Sequence, residues 1–335
     1  MTGGGIISRR LTPVVVLVLA VITAVLAAEA QQPSKMARIG YIEFGSAAPG
    51  TPLLEAFRLG LRELGWIEGQ NIAIEVRYAE GKQDRLPEFA ADLVRLKLDL
   101  IFASTTPAAL AAKQATSTIP IVIGFVADPI GSGLVPRLAA QGGNITGWTH
   151  LAGLELNAKR LEILKEAVPE AARIGALWNP ANSVHGPSLK VIEAAARRLK
   201  VQIHPMGVHD PQELPGAFSA MAQERVQALT VPPDGMFLAH QARIIDLAAK
   251  HRIPTMYGVR ELAETGGLMA YGVNLPEMYR HGALFVDRIL KGAKPGDLPV
   301  AQPTTFELIV NLKTAKALGL RIPRSLLIRA DKLIE

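Results

Sequence analysis

Cysteine is absent from all 335 residues. Its absence excludes disulfides, thiolate catalysis, cysteine zinc sites and the lipid-bearing cysteine of bacterial lipoproteins, and is compatible with an oxidising compartment. Catalytic signatures are missing too. There is no GxxxxGK[ST], no GxGxxG after the first apolar run and no GxSxG elbow. The seven histidines, His150, His185, His204, His209, His240, His251 and His281, show no HExxH or comparable ligand spacing. They are assigned surface or structural roles, and no metal or cofactor is expected. Charge of one sign does not cluster: the net +6 is scattered singly, so no nucleic-acid surface is expected. The chain shows no machinery of an enzyme.

Hydrophobic residues make up 49% and charged residues 20% of the chain, the balance of a globular protein long enough for two domains. The N-terminus carries Arg9 and Arg10, then VVVLVLAVITAVLAA, then Ala28-Glu29-Ala30. A charged start, an apolar run and an A-x-A site describe a secretory signal peptide over residues 1–30, cleaved after Ala30. The competing reading is an uncleaved anchor, since the run is close to the shortest that spans a bilayer. Either reading means export.

Residues 98–135 organise the rest. Two short apolar runs, Leu98–Ala103 and Ile119–Val126, each end in polar or small residues and a helix-start signal. The first junction is Ser104-Thr105-Thr106-Pro107; the second is Asp128-Pro129-Ile130-Gly131-Ser132-Gly133. Strand ends facing helix N-termini form a polar crevice with free N–H groups, the usual ligand position in open parallel sheets.

Before this stretch, strand 37–45, helix 51–64, strand 72–78 and helix 84–96 are read from apolar spacing. With Gly142–Trp148 they make a βαβαβαβ order and a parallel sheet. The pattern then restarts. Ala37-Arg38-Ile39-Gly40 is echoed by Ala172-Arg173-Ile174-Gly175, and Asp84-Arg85-Leu86-Pro87 by the Asp210–Pro215 segment. Leu100–Thr105 is matched by Ala228–Asp234, and Ile119-Pro120 by Ile253-Pro254. A repeat of this size is a domain rather than a solenoid unit. Two similar α/β lobes with a cleft between them follow, and the segments after Gly266 are expected to cross between them and form a hinge.

In family order the chain carries RIGYIEFG (38–45), FRLGLRELGWIEGQNIAIEVRYAEG (57–81), STIPIVIGFVADPIGSGLV (117–135), GGNITGW (142–148) and RIGALWNPAN (173–182). GGLMAYGVN (266–274), ILKGAKPGDLPVAQPTTFELIVNLKTAKALGL (289–320) and IPRSLLIRAD (322–331) complete the set. With these motifs the chain resembles the ABC-transporter substrate-binding proteins related to tryptophan- and other aromatic-amino-acid-binding lipoproteins. The resemblance implies a type I periplasmic-binding-protein fold: two doubly wound parallel-sheet lobes joined by a multi-crossing hinge. It places the lobes at 37–147 plus about 272–299, and at 148–271 plus about 300–335. It also implies closure on a small ligand and delivery to an inner-membrane permease driven by a separate ATPase. Without the lipid-anchoring cysteine, a soluble, monomeric periplasmic receptor is expected.

The positions expected at the cleft are Phe44, Gly45, Ser46, Ser104, Thr105, Thr106, Asp128 and Pro129 in the first lobe. In the second they are Asn179, Pro180, Asn182 and Asp234, with Tyr257 nearby. Ser104–Thr106 can hold a carboxylate or simply cap a helix. Asp128 and Asp234 can meet an ammonium group, though capping is the commoner use of aspartate there. Trp148 and Trp178 can stack on a planar ligand or serve as packing. Tyr271 is expected where the chain crosses back. A ligand-sensing exported domain would carry the same features. A secreted hydrolase would need a nucleophile–base pair or metal cluster that is not found, and a DNA-binding regulator would lack the export signal.

Overall fold

The computed structural model describes residues 36–45, 52–140, 142–150 and 153–335. The signal segment and Ser46 lie outside the described residues. The first sheet begins with β1 (Ala37–Glu43), α1 (Pro52–Glu63) and β2 (Ile72–Tyr78). It continues through α2 (Leu86–Arg95), β3 (Leu100–Thr105), α3 (Thr106–Ala115), β4 (Ile121–Val126) and β5 (Ile145–Thr149). The second half runs α4 (Glu155–Ala167), β6 (Arg173–Trp178), α5 (His185–Leu199), β7 (Gln202–Gly207) and α6 (Leu214–Gln223). After it come β8 (Ala228–Val231), α7 (Gly235–Ala239), α8 (Gln241–Lys250), β9 (Thr255–Val259), α9 (Arg260–Glu264) and β10 (Met269–Val273). The C-terminal part holds α10 (Leu275–Leu290), β11 (Val300–Ala301), β12 (Glu307–Asn311), α11 (Leu312–Leu318), α12 (Arg324–Arg329) and β13 (Lys332–Ile334).

Two sheets result, ordered β11-β5-β4-β3-β1-β2 and β13-β12-β10-β9-β8-β6-β7. All pairs are parallel except β10 with β12. The segments β2-β1-β3-β4-β5 and β7-β6-β8-β9-β10 share one strand order, which is the repeat expected from the sequence. β3 and β4 are buried at every residue because helices cover both faces, so Leu100–Ala103 and β4 read as apolar runs. The edge strand β2 is only partly buried and alternates.

The chain leaves the first sheet after β5 and returns through α10, which lies along α1. The two helices approach so closely that a Cβ on Gly60 would stand 2.3 Å from the Arg280 carbonyl oxygen. Trp66 Nε1 ties their far ends by donating to Asp287 Oδ1 at 2.9 Å. Beneath them Tyr41, Phe57, Phe102 and Tyr279 form one ring cluster with centroids 4.5–5.7 Å apart. β11 pairs with Gly147 and Trp148 of β5, so the first sheet takes in residues 148–149 and 300–301, just past the boundaries expected at 147 and 299.

The second junction does not start a helix. Asp128 Oδ1 instead accepts from the Ile130 and Gly131 amides at 3.1 and 2.8 Å, and Ser132 Oγ donates to the Asp128 carbonyl. Gly133 then takes φ +73°, a left-handed conformation no helix tolerates, and the segment stays a turn.

Candidate functional site

In a sheet of order 2-1-3-4-5 the switch point lies between strands 1 and 3. Here both sheets turn that edge toward each other. The carboxyl ends of β1 and β3 face those of β6 and β8 across a cavity of about 470 Å³. Phe44, Thr105, Thr106, Phe125 and His150 line it from the first lobe, and Asn179, Asn182, Asp234 and Met236 from the second. Two loops, one including Gly81–Asp84 and the other His209–Pro211, border the same space.

The floor on the first lobe is held by a buried carboxyl. Glu43 Oε1 accepts from the Gly45 amide at 3.0 Å and Ser104 Oγ at 3.2 Å, while Oε2 accepts from Tyr41 Oη at 3.2 Å. Ser104 Oγ in turn accepts from the Phe44 amide at 3.2 Å. Burial pushes the Glu43 pKa up, and these hydrogen bonds to the carboxylate oppose that shift. The network pins the ends of β1 and β3 together. Ser104 and Gly45 thus serve the floor rather than face the cavity; Ser104 is wholly buried.

Thr105 occupies the N-cap position of α3 with extended backbone, yet its side chain makes no capping bond. Its Oγ1 is buried without a partner. Thr106 Oγ1 accepts from the Ala127 amide at 3.4 Å. The first N–H groups of α3, lacking a side-chain cap, lie beside the cavity that Thr105, Thr106 and Pro107 line. This is a helix dipole end suited to an anion.

The second wall is arranged differently. Asp234 Oδ1 accepts from the Met236 and Phe237 amides at 2.8 and 3.2 Å, capping α7. Its Oδ2 accepts from Asn182 Nδ2 at 2.8 Å and Asn179 Nδ2 at 3.3 Å. Each asparagine oxygen accepts a local amide, from Ala181 or Val184, which fixes both side chains. His185 Nδ1 accepts from the Asn179 amide at 2.8 Å, so the ring is neutral and its Nε2–H donates to the Pro233 carbonyl at 3.3 Å. Burial lowers its pKa, consistent with that tautomer.

His150, assigned a surface or structural role from sequence, is 6% exposed and lines the cavity. It stacks on Phe125 with centroids 3.9 Å apart and planes 19° apart, making one flat wall. Its Nδ1 is buried without a partner. Burial, reinforced by Arg160 and His185, lowers its pKa to about 3. The ring is neutral.

Other expected positions stand away from this cavity. Asp128 and Pro129 border a separate groove. Trp148 packs on His281 and Phe285 of α10. Tyr257 lies mid-strand in β9, buried in the second lobe beside a small separate cavity. Tyr271 lies mid-strand in β10 against Phe306. Pro180 and Trp178 flank Asn179 but do not line the cavity; both lie close to Gly207 of β7.

The lobes touch across the cleft. A Cβ on Gly235 would sit 3.4 Å from Thr105 Cγ2 and 3.7 Å from Phe44 Cδ1. One on Gly81 would sit 3.1 Å from His240 Nε2.

Known proteins are similar to this chain over most of its length. Residues 53–334 match the family described as ABC transporter substrate binding protein. The tyrosine-binding protein of Clostridioides difficile (strain R20291) is 28% identical over 268 residues, covering 80% of this chain and 76% of that one. A Streptococcus pneumonia ABC domain solved in complex with L-Trp is 27% identical, with a TM-score of 0.81 over 89% of this chain and 99% of that one. The ligand-free, open structure of a Clostridium difficile substrate binding protein with adhesive properties is 26% identical, with a TM-score of 0.65 over 89% and 99%.

Proposed function

The chain belongs to the family of ABC transporter substrate-binding proteins, and we propose that it is an exported receptor for an amino acid with a ring-bearing side chain. The observation that carries the reading is the α3 N-terminus: an uncapped dipole end with the unpartnered Thr105 hydroxyl, beside the Phe125–His150 wall. The first suits a carboxylate, the second a planar side chain. The Asn179 and Asn182 oxygens opposite, each accepting one amide and with a lone pair left, and the charge of Asp234 beside them suit an ammonium group. The relatives that bind tyrosine and L-Trp support this class.

Closure is the working step. A ligand held by Thr105–Thr106 on one wall and Asn179, Asn182 and Asp234 on the other favours the form in which the lobes meet. A membrane permease then takes the ligand from that closed form in the periplasm. The higher TM-score to the L-Trp complex than to the open relative, at nearly equal identity, supports reading this structure as the closed form. The bodies that move are the lobes at 37–147 plus about 272–299 and 148–271 plus about 300–335, with β5 and β11 kept in the first.

A thermal-shift screen of residues 31–335 against amino acids, carboxylates and small aromatic solutes tests the reading. A ligand at ~100 times its dissociation constant adds roughly 2.7 kcal/mol. Tryptophan, tyrosine or phenylalanine should give the largest shift and be recovered unchanged. Consumption of the hit would indicate an enzyme, and shifts only with non-amino-acid solutes would overturn the ligand class.

A further inference from the structure

The receptor reading leaves one buried charge unused. Arg160 of α4 is 4% exposed. Its Nε donates to the Tyr271 carbonyl at 2.7 Å, Nη1 to Asn157 Oδ1 at 2.9 Å and Nη2 to the Gly258 carbonyl at 3.4 Å. Every one of these partners is neutral. Among the described residues no carboxylate oxygen lies within the 4.0 Å of an ion pair. A guanidinium taken out of water and given no counter-ion is costly, and hydrogen bonds to carbonyls satisfy its donors without cancelling its charge.

What lies next to it gives the cost a use. Arg160 lines a small cavity that it shares with Asn157, His185, Ser188 and His150. His150 also lines the ligand cavity, so its imidazole is the partition between the guanidinium and the ligand. The partition is uncharged, since burial and the neighbouring Arg160 and His185 hold its pKa far below neutrality. His185, which lines the same cavity, is neutral and does not screen the cation. In a poorly polarisable interior a charge acts over several ångströms.

We propose that Arg160 is a positioning residue for the ligand: acting across the His150 ring, its uncompensated charge draws the ligand carboxylate to the hinge end of the cleft. The anion then lies between His150 and the α3 N-terminus, over Phe125, and the ammonium group points to Asp234. The charge sets which way round the ligand lies and selects acids over neutral analogues. This inference rests on the amino-acid reading above.

The test compares L-tryptophan and L-tyrosine with their primary amides, titrated calorimetrically into the wild-type protein and two variants. Arg160→Gln removes the charge. Asn157→Asp keeps Arg160 and its Nη1 contact but gives it a counter-ion, with Ser188 Oγ free to donate to the new carboxylate, so it reports even if Arg160→Gln fails to fold. The wild type should bind the acids about tenfold more tightly than the amides, a difference of about 1.4 kcal/mol. Both variants should lose about tenfold for the acids and stay within about twofold for the amides, erasing the preference. Equal losses for acid and amide would make Arg160 a structural tie of α4 to β9 and β10, and an unchanged preference would also overturn the proposal. Failure of the wild type to bind any of the four probes would instead overturn the amino-acid reading, and this inference with it.

Discussion

Asp234 shows how much one side chain carries. One oxygen caps α7 through two backbone amides; the other gathers Asn179 and Asn182. Asp234→Ala should therefore cost about 1 kcal/mol from the lost cap alone, read as a lower urea midpoint. It should also release both asparagine amides and weaken ligand binding, whereas Asp234→Asn should recover only the cap, since its amide oxygen still accepts from Met236 and Phe237 while its NH2 group faces the Asn179 and Asn182 NH2 donors. Equal stability of wild type and alanine variant would remove the cap from the account. At this scale the sequence was readable wherever a site residue ends a strand. Phe44, Thr105, Thr106, Asn179, Asn182 and Asp234 follow the repeat and line the cavity. His150 follows the same rule at the end of β5, but on sequence grounds Trp148 drew attention instead, and its indole packs on α10. Tyr257 and Tyr271 sit mid-strand, which carries their side chains away from the carboxyl edge. The loop residues Gly81–Asp84 and His209–Pro211 follow edge strands, where apolar patterning gives no direction.

Among the elements, the two junctions after β3 and β4 share a polar residue followed by proline, yet only the first becomes a helix. After Pro107 come alanines, leucine, lysine and glutamine, good helix formers; after Pro129 come Gly131 and Gly133. Where a hinge crosses is likewise invisible locally, because it depends on which sheet each strand joins. The crossing from β10 to α10 holds a buried carboxyl: Glu261 Oε1 accepts from the Leu275 amide at 3.3 Å, while Oε2 has no partner. Burial pushes its pKa up to about 7, although Arg260 opposes this and Glu264 adds to it. The folded value lies above the unfolded one, so its contribution to stability is full below about pH 4.5 and is lost as pH rises through about 7. Glu261→Gln keeps the Leu275 contact and removes the titration. Relative to wild type it should gain stability from pH 5 to pH 8, measured as the difference in urea midpoints; a difference that stays constant across that range would mean that Glu261 is ionised throughout.

For the molecule as a whole, the lobes meet at Gly235 against Phe44 and Thr105 and at Gly81 against His240, so under the closure proposed above single positions can bias it. Gly81 is one. It takes φ +73° and sits against His240 of the opposite lobe. Adding a methyl group there has two effects that separate cleanly. The left-handed backbone strain, roughly 1–2 kcal/mol for a residue with a Cβ, is local to the loop and present in open and closed forms alike, so it lowers stability but not affinity. The approach to His240 Nε2, at 3.1 Å from the new Cβ, exists only when the lobes meet. It therefore lowers the closed fraction, and the apparent dissociation constant rises in proportion. Gly81→Ala should show both losses: a lower unfolding midpoint and about tenfold weaker ligand binding, equivalent to about 1.4 kcal/mol. Solution scattering with ligand present should then report a larger radius of gyration than wild type. Pairing it with His240→Ala removes the obstacle while leaving the strain, so affinity should return and stability should not. If affinity stays low in the pair, the loss belongs to the loop itself, and closure does not turn on this contact.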